Sequence, residues 1–216
     1  KALLGADTKL VASKLEEVFA ELRELLHAQS LIGAVSPDLL RLISGLGEIC
    51  SAILVDATLR ARGADSQWLD ARDVLVVEHC DLGATVQWQE TEQRLRQYKP
   101  TASRHTVVSG FVARTPDGSV TNLGRNGSDY SGSIFASLFQ ASELHVWSDV
   151  DGILSADPRI VPEAVEIPEL SYSEACELAY FGAKVLHPQT MAPGAAPPVP
   201  APVRRGHRPR GRGGVA

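Results

Sequence analysis

At 216 residues, 44% of them hydrophobic, the chain has material for one large domain or two small ones around a buried core. The formal net charge is −5, but the last 26 residues hold no acid and five arginines (Arg204, Arg205, Arg208, Arg210, Arg212), and without them the first 190 residues stand at −10. An acidic body argues against a nucleic-acid partner. Cys50, Cys80 and Cys176 show no CxxC spacing, and the six histidines form no HxxxH or HExxH pattern, so neither a disulfide framework nor a metal-ligand cluster is expected. No apolar run reaches the ~20 residues of a membrane helix, and no signal peptide precedes Lys1. The expectation is a soluble cytoplasmic protein with no membrane partner.

In chain order, Asp7 or Thr8 caps a long amphipathic helix whose apolar positions run from Leu10 through Leu26. Ser36-Pro37-Asp38 reads as a second helix start, with Pro37 at the first helical position. A third helix is expected from Glu48 to Arg62, stopped by Gly63. Short strand candidates follow at Gln67–Leu69 and Asp73–Glu78. His105–Ala113 (HTVVSGFVA) reads as a buried strand, followed by the turn Thr115–Gly118 and a strand at Ser119–Leu123. A helix over about Ser128–Ala141, a strand at Glu143–Ser148 and a helix at Ser171–Gly182 complete the pattern. Strands alternating with helices predict an α/β sandwich with a mainly parallel sheet. Trp68, Trp88 and Trp147 read as core or edge packing. After Met191 the chain is proline, glycine, alanine and arginine, and residues 193–216 are expected to be a disordered tail.

The stretch LGRNGSDYSGSIFA (residues 123–136) places a glycine-rich turn between a strand and a helix N-terminus. Helix N-termini present unpaired N–H groups and a positive dipole end, which suit an anion. Gly124 and Gly127 allow close approach of a ligand, Arg125 offers a planar fork for carboxylate or phosphate, and Asp129 adds an acceptor for an ammonium group. The same residues also read as a turn, a helix cap and a surface charge. The stretch is neither a P-loop nor GxGxxG. SDVDGILSADPR (148–159) lies beyond a strand, where open α/β sheets bind ligands, and its acids need Mg²⁺, ribose hydroxyls or an ammonium as partners. In GAKVLHPQT (182–190), Lys184 is either a nucleotide contact or a solvated side chain, and His187 is a packing or capping residue. In SGLGEICSA (44–52), Glu48 stands at a glycine-flanked helix start, as a first-turn acid or as a ligand for a substrate ammonium.

LGRNGSDYS, VWSDVDGILSADPR, SYSEACELAYFGAKVLHPQT, SGLGE and WLDAR occur in the order found in aspartate kinases. Over residues 1–192 the chain resembles most the kinase portion of the bifunctional aspartokinase–homoserine dehydrogenases. The resemblance implies the amino-acid kinase (carbamate-kinase-like) fold, a three-layer αβα sandwich. It also implies transfer of the ATP γ-phosphoryl group to the β-carboxylate of L-aspartate, giving 4-phospho-L-aspartate on the way to lysine, threonine and methionine. ATP and Mg²⁺ are the implied cofactors, L-aspartate the small-molecule partner, and a homo-oligomer the implied state of the full-length protein.

By position, Glu48 would meet the substrate ammonium and Arg125 its carboxylates. Ser128 and Asp129 would complete the aspartate pocket, with Asp129 orienting the acceptor as the catalytic candidate. Ser148, Asp149, Arg159 and Lys184 would line the nucleotide site. Leu154 stands where many relatives carry tyrosine. The family's N-terminal KFGG-type segment does not occur, so an N-terminally truncated catalytic domain over 1–192 with little or no turnover is expected. The alternatives are a non-catalytic aspartate-binding fragment, or another amino-acid kinase acting on glutamate, acetylglutamate or a nucleotide.

Overall fold

Two 25-residue helices lead the chain in the computed structural model, which describes residues 8–33, 36–80, 83–98, 105–148, 152–157, 159–180, 200–205 and 213–215. Helix α1 (Thr8–Ile32) ends where Gly33, at φ 72°, donates its N–H to the Gln29 carbonyl. Helix α2 (Pro37–Ala61) starts at Ser36, whose hydroxyl accepts the Leu39 N–H at 3.1 Å, with Pro37 directly after the cap. Gly63, at φ 85°, follows its end. The two helices expected here are therefore one. Glycine costs a helix only about 1 kcal/mol against alanine, and burial of Leu46, Ile49, Ile53 and Ala57 carries α2 through the SGLGE stretch. Glu48 accordingly lies in the middle of a helix, not at its start. By length and composition alone, α2 is also long and apolar enough to cross a membrane. Here it packs on strands β1 (Ser66–Leu69), β4 (His105–Val108) and β6 (Val120–Asn122).

Backbone contacts divide the chain into two compact units, Lys1–Gly127 and Ser128–Ala216. In the first, β1 and β4 pair in parallel, Leu69 opposite Val108. The Asp73–Glu78 run does not form one strand. Helix α3 (Ala71–Val74), capped by Asp70, precedes β2 (Val77–Cys80), which forms an antiparallel pair with β3 (Gly83–Val86). Val74, Leu75, Val76 and Val77 are at most 1% exposed. Thr91, on α4 (Trp88–Tyr98), receives the Val76 N–H on its buried hydroxyl at 3.1 Å. The HTVVSGFVA run breaks into β4 and β5 (Val112–Arg114), and β5 pairs antiparallel with β6 across the Thr115–Gly118 turn. The break falls at Ser109–Phe111, where Phe111 takes φ 72°.

Helix α5 (Gly127–Leu138), which lies in the second unit from Ser128 onward, buries Tyr130, Ile134 and Phe135. Strand β7 is Val146–Ser148, β8 is Glu169–Leu170, and α6 (Tyr172–Tyr180) opens with a capping box in which Ser171 and Glu174 bond each other's backbone N–H. The tail, expected to lack structure, supplies β9 (Ala201–Arg205) and β10 (Gly213–Val215), giving a sheet ordered β7-β9-β10-β8. Strand pairing rests on backbone groups, which every non-proline residue carries in full, so a segment poor in core-forming side chains can still take a place within a sheet. Trp147, expected to pack, is 62% exposed.

Candidate functional site

The glycine loop is held by three backbone devices. Gly124 sits at φ 75° and Asn126 at φ 56°, conformations that turn the chain sharply between β6 and α5. The Gly127 N–H reaches the Gly124 carbonyl at 3.1 Å, and the Leu123 N–H reaches that of Phe111 at 2.8 Å. Gly127 has no room for a side chain: a Cβ there would lie 2.7 Å from Phe111 Cδ2 and 2.9 Å from Leu123 Cβ. The left-handed Phe111 thus lays its ring against the loop that carries Arg125.

Arg125 projects from this loop, exposed, with no ion pair or side-chain hydrogen bond among the described residues. Its planar fork remains available to a carboxylate or phosphate. Ser128 and Asp129 follow directly, both exposed and in the first turn of α5 rather than at its cap. Protein packed around the Asp129 carboxyl withholds water from it and raises its pKa above the ordinary carboxylate range, although the residue as a whole reaches solvent.

Glu48 is exposed on α2, without a partner among the described residues. It lies one helical turn beyond Ser44, and residues four apart share a helix face. The link between that face and the loop is Asn122, a residue the sequence reading passed over. Its amide donates to the Arg41 carbonyl at 3.1 Å and to Ser44 Oγ at 3.3 Å, and its oxygen accepts the Gly124 N–H at 3.0 Å. An asparagine just before LGRNG was the available signal.

The nucleotide candidates are less complete. Ser148 ends β7, while Asp149 and Lys184 lie outside the described residues, as do Asp151 and His187. Arg159 is described but occupied: Asp157 binds its guanidinium through both oxygens, at 3.0 and 2.7 Å. Leu154 forms a bridge with Glu166, where the segments around 153–155 and 165–167 exchange backbone hydrogen bonds. WLDAR is structural here, since Arg72 binds Asp70 at 2.8 Å and reaches Glu21 of α1 at 3.4 Å. Among the described residues no group of three or more His, Cys, Asp or Glu side chains could hold a metal ion.

The profile of the amino acid kinase family matches residues 4–197. Bifunctional aspartokinase/homoserine dehydrogenase 1 of Arabidopsis thaliana is 38% identical over 202 residues, 93% of this chain but 22% of the plant protein. Escherichia coli aspartokinase III, solved in complex with aspartate and ADP in its R-state, superimposes with a TM-score of 0.85 at 33% identity. That match covers 95% of this chain and 46% of the other. The T-state of the same enzyme, in complex with lysine and aspartate, gives 0.80 at 32% identity, covering 97% and 47%. The chain thus spans about a fifth to a half of the length of the relatives it matches. Their shared fold is the three-layer αβα sandwich that the resemblance implied, and with nearly its whole length matched, this chain belongs to the amino acid kinase family.

Proposed function

We propose that the chain is the catalytic portion of an aspartate kinase, transferring the γ-phosphoryl group of ATP to the β-carboxylate of L-aspartate. The observation that carries this reading is Arg125: an exposed, unpartnered guanidinium on a glycine loop entering a helix N-terminus, in a fold shared with an aspartokinase solved with aspartate and ADP. Arg125 clamps the substrate carboxylates and Glu48 meets its ammonium. Ser128 and Asp129 supply the first turn of α5 against the acceptor end. A carboxylate acceptor is already ionised at neutral pH, so the residues present need to position and neutralise rather than remove a proton. That matches a loop built of N–H groups and one arginine.

Mg²⁺ in phosphoryl transfer is held by one or two carboxylates together with the nucleotide's own phosphates, so the lack of a three-ligand cluster among the described residues is compatible with it. Bound with ATP, it would neutralise charge on the transferring group. Ser148, Asp149, Arg159 and Lys184 are the proposed nucleotide contacts. For Arg159 to serve, its fork must leave Asp157.

Calorimetry with L-aspartate, beside a coupled assay for ADP release, tests the reading. Arg125→Ala removes charge-assisted hydrogen bonds that contribute ~1.5–3 kcal/mol, so aspartate binding should weaken about tenfold to a hundredfold. Arg125→Lys should recover only part, because an ammonium lacks the planar fork. Unchanged affinity in Arg125→Ala moves the substrate elsewhere. Preference for glutamate, acetylglutamate or a nucleotide over aspartate in the same assay assigns another member of the family.

A further inference from the structure

We infer that Asn122 is a positioning residue for substrate, holding Glu48's helix and Arg125's loop in one register so that the two ends of an amino acid are read together; this rests on the substrate reading above. Asn122 is 3% exposed, and both N–H groups and the oxygen of its amide are hydrogen-bonded. Both N–H bonds point at one turn of α2, to the Arg41 carbonyl and Ser44 Oγ. Ser44 itself donates to the same carbonyl at 3.0 Å, so the three groups form a closed knot. The oxygen points the other way, onto the N–H of Gly124, next to Arg125.

Partners 78 and 81 residues away on α2 and two residues away in the loop meet on a single planar group. Glu48 stands one turn beyond Ser44 and Arg125 one residue beyond Gly124, so any slip at Asn122 changes the offset between cation and anion recognition. Gly45, beside Ser44, strengthens the coupling. Its missing Cβ would lie 2.6 Å from Val112 Cγ1, so α2 rests almost backbone-to-side-chain on β5 and cannot drift inward.

The test is an NMR titration with L-aspartate on the full chain and on Asn122→Ala, Asn122→Asp, Arg125→Ala and the Asn122→Ala/Arg125→Ala double variant. Amide exchange is followed over 41–48 and 123–127. Asn122→Ala should weaken aspartate binding about three- to tenfold, the range for losing ordinary hydrogen bonds. Asn122→Asp should weaken it at least as much, since a carboxylate keeps the bond from Gly124 but faces the Arg41 carbonyl without a proton to donate. In the Arg125→Ala background the Asn122→Ala effect should fall below about twofold, because there is no longer a clamp to keep in register. A general loss of stability would instead weaken binding equally in both backgrounds, and that result overturns the inference. Equal affinity of Asn122→Ala and the parent does the same while leaving the substrate reading intact. Should the parent show no aspartate response, the substrate reading fails separately and the exchange arm decides alone. Faster exchange in both segments of Asn122→Ala supports the coupling, and a change in neither or only one overturns it.

Discussion

Asp129 shows at one residue how a site can be held at the expense of stability. It occupies the first turn of α5, where the helix dipole favours an anion, yet the protein around its carboxyl withholds enough water to raise its pKa above the ordinary value. For an acid whose folded-state pKa is raised, the folded protein binds the proton more tightly than the unfolded chain. Its stabilising contribution is therefore complete below the ordinary aspartate pKa and is lost as pH rises through the folded-state value. Asp129→Asn removes that loss. Thermal melts between pH 3 and 8 should show the variant melting above the parent at neutral pH, with the curves converging below the carboxylate range, while aspartate binding weakens. A constant offset at every pH would mean that the carboxyl is as well solvated as a free side chain.

Among elements, α2 separates two glycines that a sequence cannot distinguish. A Cβ on Gly45 would meet Val112 Cγ1 at 2.6 Å, whereas one on Gly47 meets nothing within 4 Å. Gly45→Ala should cost roughly 1–3 kcal/mol by overpacking, with part recovered when Val112→Ala is added. Gly47→Ala should be neutral or stabilising by up to about 1 kcal/mol, because alanine gives up less backbone freedom in a helix. Denaturant midpoints of the three variants check this pair, and equal effects would refute the packing argument. The contrast also explains what was legible. Signals that act within four residues read correctly: Ser36-Pro37 at the start of α2, the Thr115–Gly118 turn, and the helix start at Ser171 for α6. Signals that depend on a distant partner did not. SGLGE looked like a helix start because Val112 is remote in sequence. HTVVSGFVA looked continuous because the turn at Phe111 answers to Leu123 and Gly127, whose contacts hold its carbonyl and ring. Asn122 stayed invisible for the same reason, its α2 partners lying 78 and 81 residues upstream. Arg125, Ser128 and Asp129 could be proposed together from sequence because the loop, its arginine and the helix behind it are contiguous, whereas Glu48 stands far upstream on α2.

At the scale of the whole molecule, the C-terminal segment decides what holds the second unit's sheet together. Composition alone makes residues 193–216 look dispensable, but β9 lies between β7 and β10, and β10 between β9 and β8. The Leu144 N–H also donates to the Pro200 carbonyl at 2.8 Å, continuing the pairing just before β7. Strand β8 is only two residues long, too short to persist without its neighbour. Removing residues 200–216 therefore strips the partners from both β7 and β8 and leaves their backbone groups open to water or to another chain. Each ladder hydrogen bond contributes ~0.5–1.5 kcal/mol net, so losing several should lower the melting temperature of the second unit by more than about 4 °C. Hydrogen exchange should show protection lost at residues 144–148 and 169–170, and size-exclusion chromatography should show self-association growing with concentration. Val203→Pro, which keeps the chain length but removes an N–H opposite Val146 and Gly213, should reproduce part of the loss. Unaltered protection and melting in the shortened chain would return the segment to the dispensable role its composition suggests.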